Sequence, residues 1–456
     1  MSSSRIRPAM RHPLAVHPAL PDRRRARRGT PGVAAAAAGS AVPAREPGPR
    51  GDHDQMRRVR TAGARLPGWL AGRLGVRGAA PLADEAGHRH ATWLELFLDV
   101  IFVYALAAVV ARLGGEPSPS PRAVLAVIGL FVVIQWAWLG QVYYDTRFDP
   151  DDALHRLLVL VALVGAGAMT LGVDEVPESP LLPIGYLIVR GVLLLLYLRA
   201  RPTSPMARVV TTVYLIGFGS GWLIWLLSLP APTELRPVLW IVAMVIELAT
   251  PWVGARWLNR WPVDNRHLPE RIGQFTIIVL GSALASLLFA VPDHPPPHMI
   301  LTAALAFLIP AAVWWVYTTF VTTRLTQSRL RGGQAYSYLH IPLGGSLLLL
   351  GWALGQVVRL VDDDVTRLPL ELRLLLGASM VVWTACGLAL YWLWTRPSAA
   401  RLAIAAYGVI SVCVITGTVH QPKVMLSLLA AAIVGYAVLL SRRLARAGEA
   451  NQTPEG

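Results

Sequence analysis

Cysteine, lysine and the familiar catalytic spacings are nearly or wholly missing from this chain. Its two cysteines, Cys386 and Cys413, each sit inside an apolar run, which leaves neither a disulfide framework nor a thiolate metal site and points to helix packing as their role. No HExxH, P-loop, strand-borne GxGxxG or GxSxG occurs, so the sequence assigns no catalytic centre, no metal site and no cofactor. Charge is scarce too, at 15% of residues. Lys423 is the sole lysine, and 17 of the 41 arginines lie before Ala91. The net charge of +15 therefore reflects tails and loops. Trp and Arg also lack the interleaved stripe that stacks and neutralises a nucleic acid, so no nucleic-acid partner is expected.

What is present in abundance is apolar. With 54% hydrophobic residues, a mean hydropathy of +0.48 and 16 Trp, the composition is that of an all-α integral membrane protein whose first partner is the lipid bilayer. Residues 1–91, rich in Arg, Pro, Ala and Gly, read instead as a disordered cytoplasmic tail. They hold the run Arg23 to Arg28 and the low-complexity Val33 to Gly39, and no strongly apolar core ending in a cleavage site. Either translation starts further downstream or the polybasic segment rests on anionic lipid.

At about 20 residues per crossing, twelve transmembrane spans are expected, starting near 93, 122, 153, 181, 208, 235, 270, 298, 337, 370, 401 and 424. Turn-rich connections poor in arginine, such as 114–121, 173–180 and 292–297, alternate with basic ones. The basic set carries 17 residues, among them Arg147, Arg199, Arg271, Arg396 and Arg442, against seven on the other side. By the positive-inside rule both termini are cytoplasmic, and 445–456 forms a second cytoplasmic tail.

The halves echo each other. Arg201-Pro202 and Ala207-Arg208 before Tyr214 recur as Arg396-Pro397 and Ala400-Arg401 before Tyr407. Trp136 and Trp138 echo Trp314 and Trp315, and His155 echoes His340. Glu95 then aligns with Glu270, and Asp99 with Gln274. Two six-helix halves, 92–258 and 266–444, follow. Six is even, so they share one orientation, as in transporters whose substrate site lies between parallel repeats.

Three blocks carry a resemblance. Glu95-Leu-Phe-Leu-Asp99-Val-Ile-Phe-Val-Tyr-Ala resembles the ELFFDLVFVFA signature of the bacterial low temperature requirement A proteins. His267-Leu-Pro-Glu-Arg-Ile-Gly-Gln-Phe-Thr-Ile-Ile-Val-Leu-Gly281 resembles their H-x-x-ERxGxFTIIVLGES block, and Tyr336-Ser-Tyr-Leu-His-Ile-Pro342 their YxYxHxP block. The blocks occur in the family's order over about 92 to 440. Where the family has GES, this chain reads Gly281-Ser282-Ala283, so the acidic residue expected at 282 is absent. The resemblance implies a multi-pass protein of the bacterial cytoplasmic membrane and carries over no biochemical activity.

The polar residues inside the spans are the candidates for function, because a charge at bilayer depth is costly and needs a partner. Thr92 to Glu95 fits a capping box, and Glu270 after Pro269 suits a helix start. Asp99, roughly 10 Å into its helix, is beyond capping reach. It serves either a buried hydrogen bond or an ion or proton site. Glu95 with His155, and Glu270 with His340, are candidate carboxylate–imidazole pairs. Arg190 and Glu247, mid-span and aligned with Ala385 and about Ala432, are expected to pair, or Arg190 to pair with Asp99. Asp99, Arg190, Glu247 and His340 would then line the interior between the halves. A secondary transporter of an unidentified small molecule or ion, with proton coupling, is the leading reading. A membrane-embedded enzyme acting on lipid or a polyprenyl carrier, or a non-catalytic membrane component, are the alternatives.

Overall fold

Hydroxyl and carboxylate side chains mark where the chain turns into helix. Thr92 starts α1 (Trp93–Ala111) with a full capping box: its hydroxyl accepts from the Glu95 N–H, and the Glu95 carboxylate accepts from its own N–H. Ser120 caps α2 (Pro121–Asp145), Asp152 caps α3 (Ala153–Gly172) and Ser204 caps α5 (Pro205–Ser228). Between and after them run α4 (Leu181–Ala200) and α6 (Arg236–Val253), the latter followed by a single turn, Ala255–Leu258. The rest are α7 (His267–Leu288), α8 (Pro297–Arg324), α9 (Gly333–Asp362), α10 (Leu370–Trp392), α11 (Ala399–Thr418) and α12 (Pro422–Ala450).

This computed structural model describes residues 92–148, 152–260, 263, 267–324, 333–362, 365–393 and 396–450. All belong to the unit 61–456. The tail expected over 1–91 lies outside the described residues. Among those residues the fold is all helical, and all twelve long helices are apolar enough to cross a membrane. Each start falls within four residues of its expected position. The α12 helix itself continues to Ala450, past its candidate membrane span, which ends at Arg443.

The helices pack in a definite order. α1 lies against α2 and α3, α3 against α4, α4 against α5, and α5 against α6. In the same way α7 lies against α8 and α9, α9 against α10, α10 against α11, and α11 against α12. Contacts between the two sets run mainly through α1 and α2 on one side and α7 and α9 on the other, and α6 joins them by accepting from Gln334 and Tyr338 of α9 at its Pro251 and Leu248 carbonyls. The α9 helix is the most enclosed, with 89% of its most apolar window buried against 61% or less elsewhere. A Cβ at Gly351 would fall 2.4 Å from the Ala283 Cα, so glycine is what lets α9 meet α7 at backbone distance.

The α1 helix shows how a span can carry acids. Trp93, Phe97, Val100 and Tyr104 form an outward stripe, 88%, 51%, 53% and 70% exposed, as a lipid-facing surface requires. Glu95, Leu98, Asp99 and Phe102 point the other way and are buried. The two carboxylates thus enter the protein at the boundary between the helix sets.

Candidate functional site

Opposite Glu95 and Asp99 on α1 stand His267 and Arg271 on α7, again four residues apart. One stripe of each helix therefore faces the other. The Arg271 guanidinium clasps the Asp99 carboxylate through two bonds, Nη1 to Oδ2 at 2.7 Å and Nη2 to Oδ1 at 2.8 Å. Nη2 also donates to the Glu95 carbonyl at 3.2 Å. This bidentate form is the strong one, and it fixes direction as well as energy. Nearer the helix starts, His267 Nε2 lies 3.4 Å from Glu95 Oε1. Both pairs are buried: Asp99 is 0% and Arg271 1% exposed.

A third helix completes the group. Trp138 of α2 donates its indole N–H to Asp99 Oδ1 at 2.8 Å and stacks on Phe275 of α7 with 3.9 Å between ring centroids. Asp99 thus accepts from two helices besides its own, which offsets the cost of holding a carboxylate out of water. Arg271 Nε has no hydrogen-bond partner.

The second buried ion pair lies inside the first six helices. Arg190 of α4 meets Glu247 of α6 at 2.8 Å, and both are fully enclosed. Tyr186 donates to Glu247 Oε2 at 2.7 Å and accepts from Arg190 at 2.8 Å, while Trp136 donates its indole N–H to the same carboxylate oxygen at 3.2 Å. The Phe218 ring covers the guanidinium at 4.7 Å. Trp136 and Trp138 are two residues apart, a spacing that points to different faces of a helix. One indole serves Glu247, the other Asp99, with α2 between.

Several expectations need correction. Of the two pairings foreseen for Arg190, the one with Glu247 is present, and Asp99 belongs to Arg271. His155 sits in the first turn of α3, with its N–H on Asp152 Oδ1 at 2.8 Å. The acid beside its ring is Asp145, at 3.7 Å, rather than Glu95. Glu270, in the first turn of α7, accepts from Gln274 at 3.3 Å. His340 is not its partner: Nδ1 bonds the Tyr336 carbonyl at 2.8 Å and Nε2 meets the Tyr317 hydroxyl at 3.2 Å. A ring nitrogen facing a carbonyl must donate, so Nδ1 of His340 carries a proton. Asp99, Arg190, Glu247 and His340 therefore belong to three separate surroundings rather than one cavity.

His267 and Arg271 were missed for an identifiable reason. Both precede the strongly apolar part of their span, so Arg271 counts as a loop charge. The signal was available in spacing: a base at i and i+4 beginning one span, an acid at i and i+4 beginning another. These four residues also fall in two of the three blocks that carry the family resemblance.

Comparison with known proteins agrees with that placement. The family described as bacterial low temperature requirement A protein matches residues 90–440. An uncharacterised protein of Rhizobium meliloti is 27% identical over 290 residues, which is 58% of this chain and 69% of that relative.

Proposed function

The chain belongs to the bacterial low temperature requirement A protein family, and from that premise we propose that it is a secondary transporter, coupled to protons, for a small molecule or ion. The observation that carries the reading is the acid–base ladder between α1 and α7: Glu95 with His267, then Asp99 with Arg271, all buried where the helix sets meet. A pair clasped across that boundary holds it shut while Asp99 is ionised. A proton on Asp99 removes the charge that Arg271 holds, and the boundary loosens. Glu95 and His267, lying toward the helix starts, give the proton a route to and from Asp99.

Two parallel halves fit this reading. Part of the packing order recurs: in each set the first helix meets the second and third, and the third to sixth pack in sequence, while the close packing of α8 on α12 has no counterpart of like extent between α2 and α6. The burial rhythm agrees as well: Tyr186, Val189, Arg190 and Tyr197 of α4 correspond to Met380, Trp383, Thr384 and Tyr391 of α10. Trp240, Ala243, Met244 and Glu247 of α6 correspond to Leu426, Leu429, Ala430 and Ile433 of α12. By burial, Thr384 and Ile433 take the places of Arg190 and Glu247, each one residue from the Ala385 and Ala432 of the sequence alignment. The arginine bias of the loops supports a cytoplasmic-membrane location with both termini inside, and it persists without Arg271.

The test is proton uptake into proteoliposomes holding a pH-sensitive dye, under an imposed gradient, with a panel of small polar substrates. Native protein acidifies or alkalises the lumen with at least one substrate, and Asp99→Asn does not. Equal uptake by the variant removes Asp99 from the mechanism. Absence of any uptake by native protein across the panel overturns the transport reading.

A further inference from the structure

The second set of helices encloses a space that the first set fills. Between α8, α9, α10, α11 and α12 lies a pocket of about 70 Å³, several times the roughly 10–15 Å³ that one water needs. Its floor is apolar and buried, formed by Val316, Leu343, Trp383 and Ala405. At its edge Gly387 is half-buried, and a Cβ built there would meet nothing within 4 Å. Thr384, the burial counterpart of Arg190, also lines it. At Thr384 the second set thus has a small side chain where the first has an arginine, and Thr384 borders the open volume.

One lining group is cationic. Arg401, the third residue of α11, is half-buried at the edge of the pocket. Its guanidinium lies over the Tyr391 ring at 4.8 Å and donates to the Tyr391 hydroxyl. That stacking fixes the planar fork. Its Nε has no hydrogen-bond partner, and no carboxylate among the described residues lies within ion-pair distance of the group. A cation near a helix start, held in place and with no anion beside it among the described residues, suits the level where headgroups lie. Below it is an apolar cleft that water has little reason to fill.

We propose that this pocket binds one acyl chain of an anionic phospholipid, drawn from the surrounding leaflet, with its phosphate held by Arg401. The chain end replaces empty contact with Val316, Leu343 and Trp383, and the phosphate accepts from Arg401. Charge selects the lipid and the cleft selects its tail. Neither part alone accounts for both an open apolar volume and an arginine with no ion-pair partner among the described residues. This site is separate from the α1–α7 ladder and does not depend on transport.

The full chain, purified in detergent, is mixed with phosphatidylglycerol or with phosphatidylcholine of the same acyl length, and bound lipid is counted by native mass spectrometry. Native protein retains one phosphatidylglycerol in preference to phosphatidylcholine. Arg401→Gln loses that preference, weakening the anionic lipid about tenfold, as for one lost charge-assisted bond. Gly387→Phe, which fills the cleft, abolishes retention of both. Thr384→Leu narrows the same space from α10 and weakens both lipids, a second reading should Gly387→Phe fail to fold. Glycerol phosphate, which has the headgroup charge and no chain, does not compete. The proposal is overturned by equal retention of the two lipids, by undiminished phosphatidylglycerol in Arg401→Gln or in Thr384→Leu, or by competition from glycerol phosphate, which would mark a plain phosphate site.

Discussion

Among the described residues two arginine–carboxylate pairs are fully buried on both sides, and they are built differently. Arg190 and Glu247 are closed in by partners from α2, α4 and α5 around them: Trp136, Tyr186 and Phe218. A Cβ at Gly221 would fall 2.6 Å from the Glu247 side chain, and one at Gly140 2.3 Å from Arg190 Nη1, so the backbone itself is shaped around the pair. Asp99 and Arg271 instead join helices that begin the two sets, with Glu95 and His267 one turn closer to the ends. Among the described residues, no second carboxylate and no imidazole bonds the enclosed pair. The same chemistry is enclosed among helices of the first set in one case and joins the first helix of each set in the other.

The sharpest way to break that contrast is to remove one member of the sealed pair. Glu247→Leu strands Arg190 without water or counter-charge, and the expected loss is about 3–5 kcal/mol, enough to abolish a stable fold in many proteins. Arg190→Met together with Glu247→Leu removes both charges and should regain most of the loss. Thermal unfolding in detergent of the single and double variants decides the matter. A single variant as stable as native protein would deny the pair its structural role.

Much of the fold was legible because the membrane imposes it. Length, apolar runs and arginine bias locate twelve spans, and α1 announces its acids through an i, i+4 spacing. Capping was legible as well, since Thr92 and Glu95 satisfy orphan N–H groups within four residues of sequence. Partner identity was not. Whether Asp99 meets Arg190 or Arg271 depends on which helices are neighbours, and nothing local in α1 encodes that α7 rather than α4 faces it. His155 and His340 show the same limit: their depths suit Glu95 and Glu270, yet depth leaves rotation about the helix axis open. Arg271 was hidden by its position, because a charge next to a span start reads equally well as loop or as buried first turn.

The bridging pair can be probed more gently through its third helix. Trp138→Phe keeps an aromatic ring against Phe275 and deletes the N–H that Asp99 accepts along with part of the buried indole, so a loss of at least roughly 1.5–3 kcal/mol is expected, the range for a hydrogen bond to a charged group, with a cavity term in addition. Trp136→Phe makes the parallel deletion at Glu247, where Tyr186 and Arg190 still hold the same oxygen. Proton uptake should fall in the Trp138 variant and hold in the Trp136 variant. Equal loss of uptake in both would mean that the two pairs act as one unit.

The smallest effect separates the two roles of Glu95. Thr92→Ala removes the hydroxyl that accepts from the Glu95 N–H and should cost about 1 kcal/mol, the usual worth of an N-cap. The Glu95 carboxylate still accepts from the residue 92 N–H and still faces His267, so proton uptake should stay near the native level. Glu95→Gln keeps an acceptor for that backbone N–H, removes the charge opposite His267, and should lower uptake with little change in the unfolding temperature. If the two variants lose stability and uptake in the same proportion, Glu95 belongs to the helix start alone and the ladder begins at Asp99.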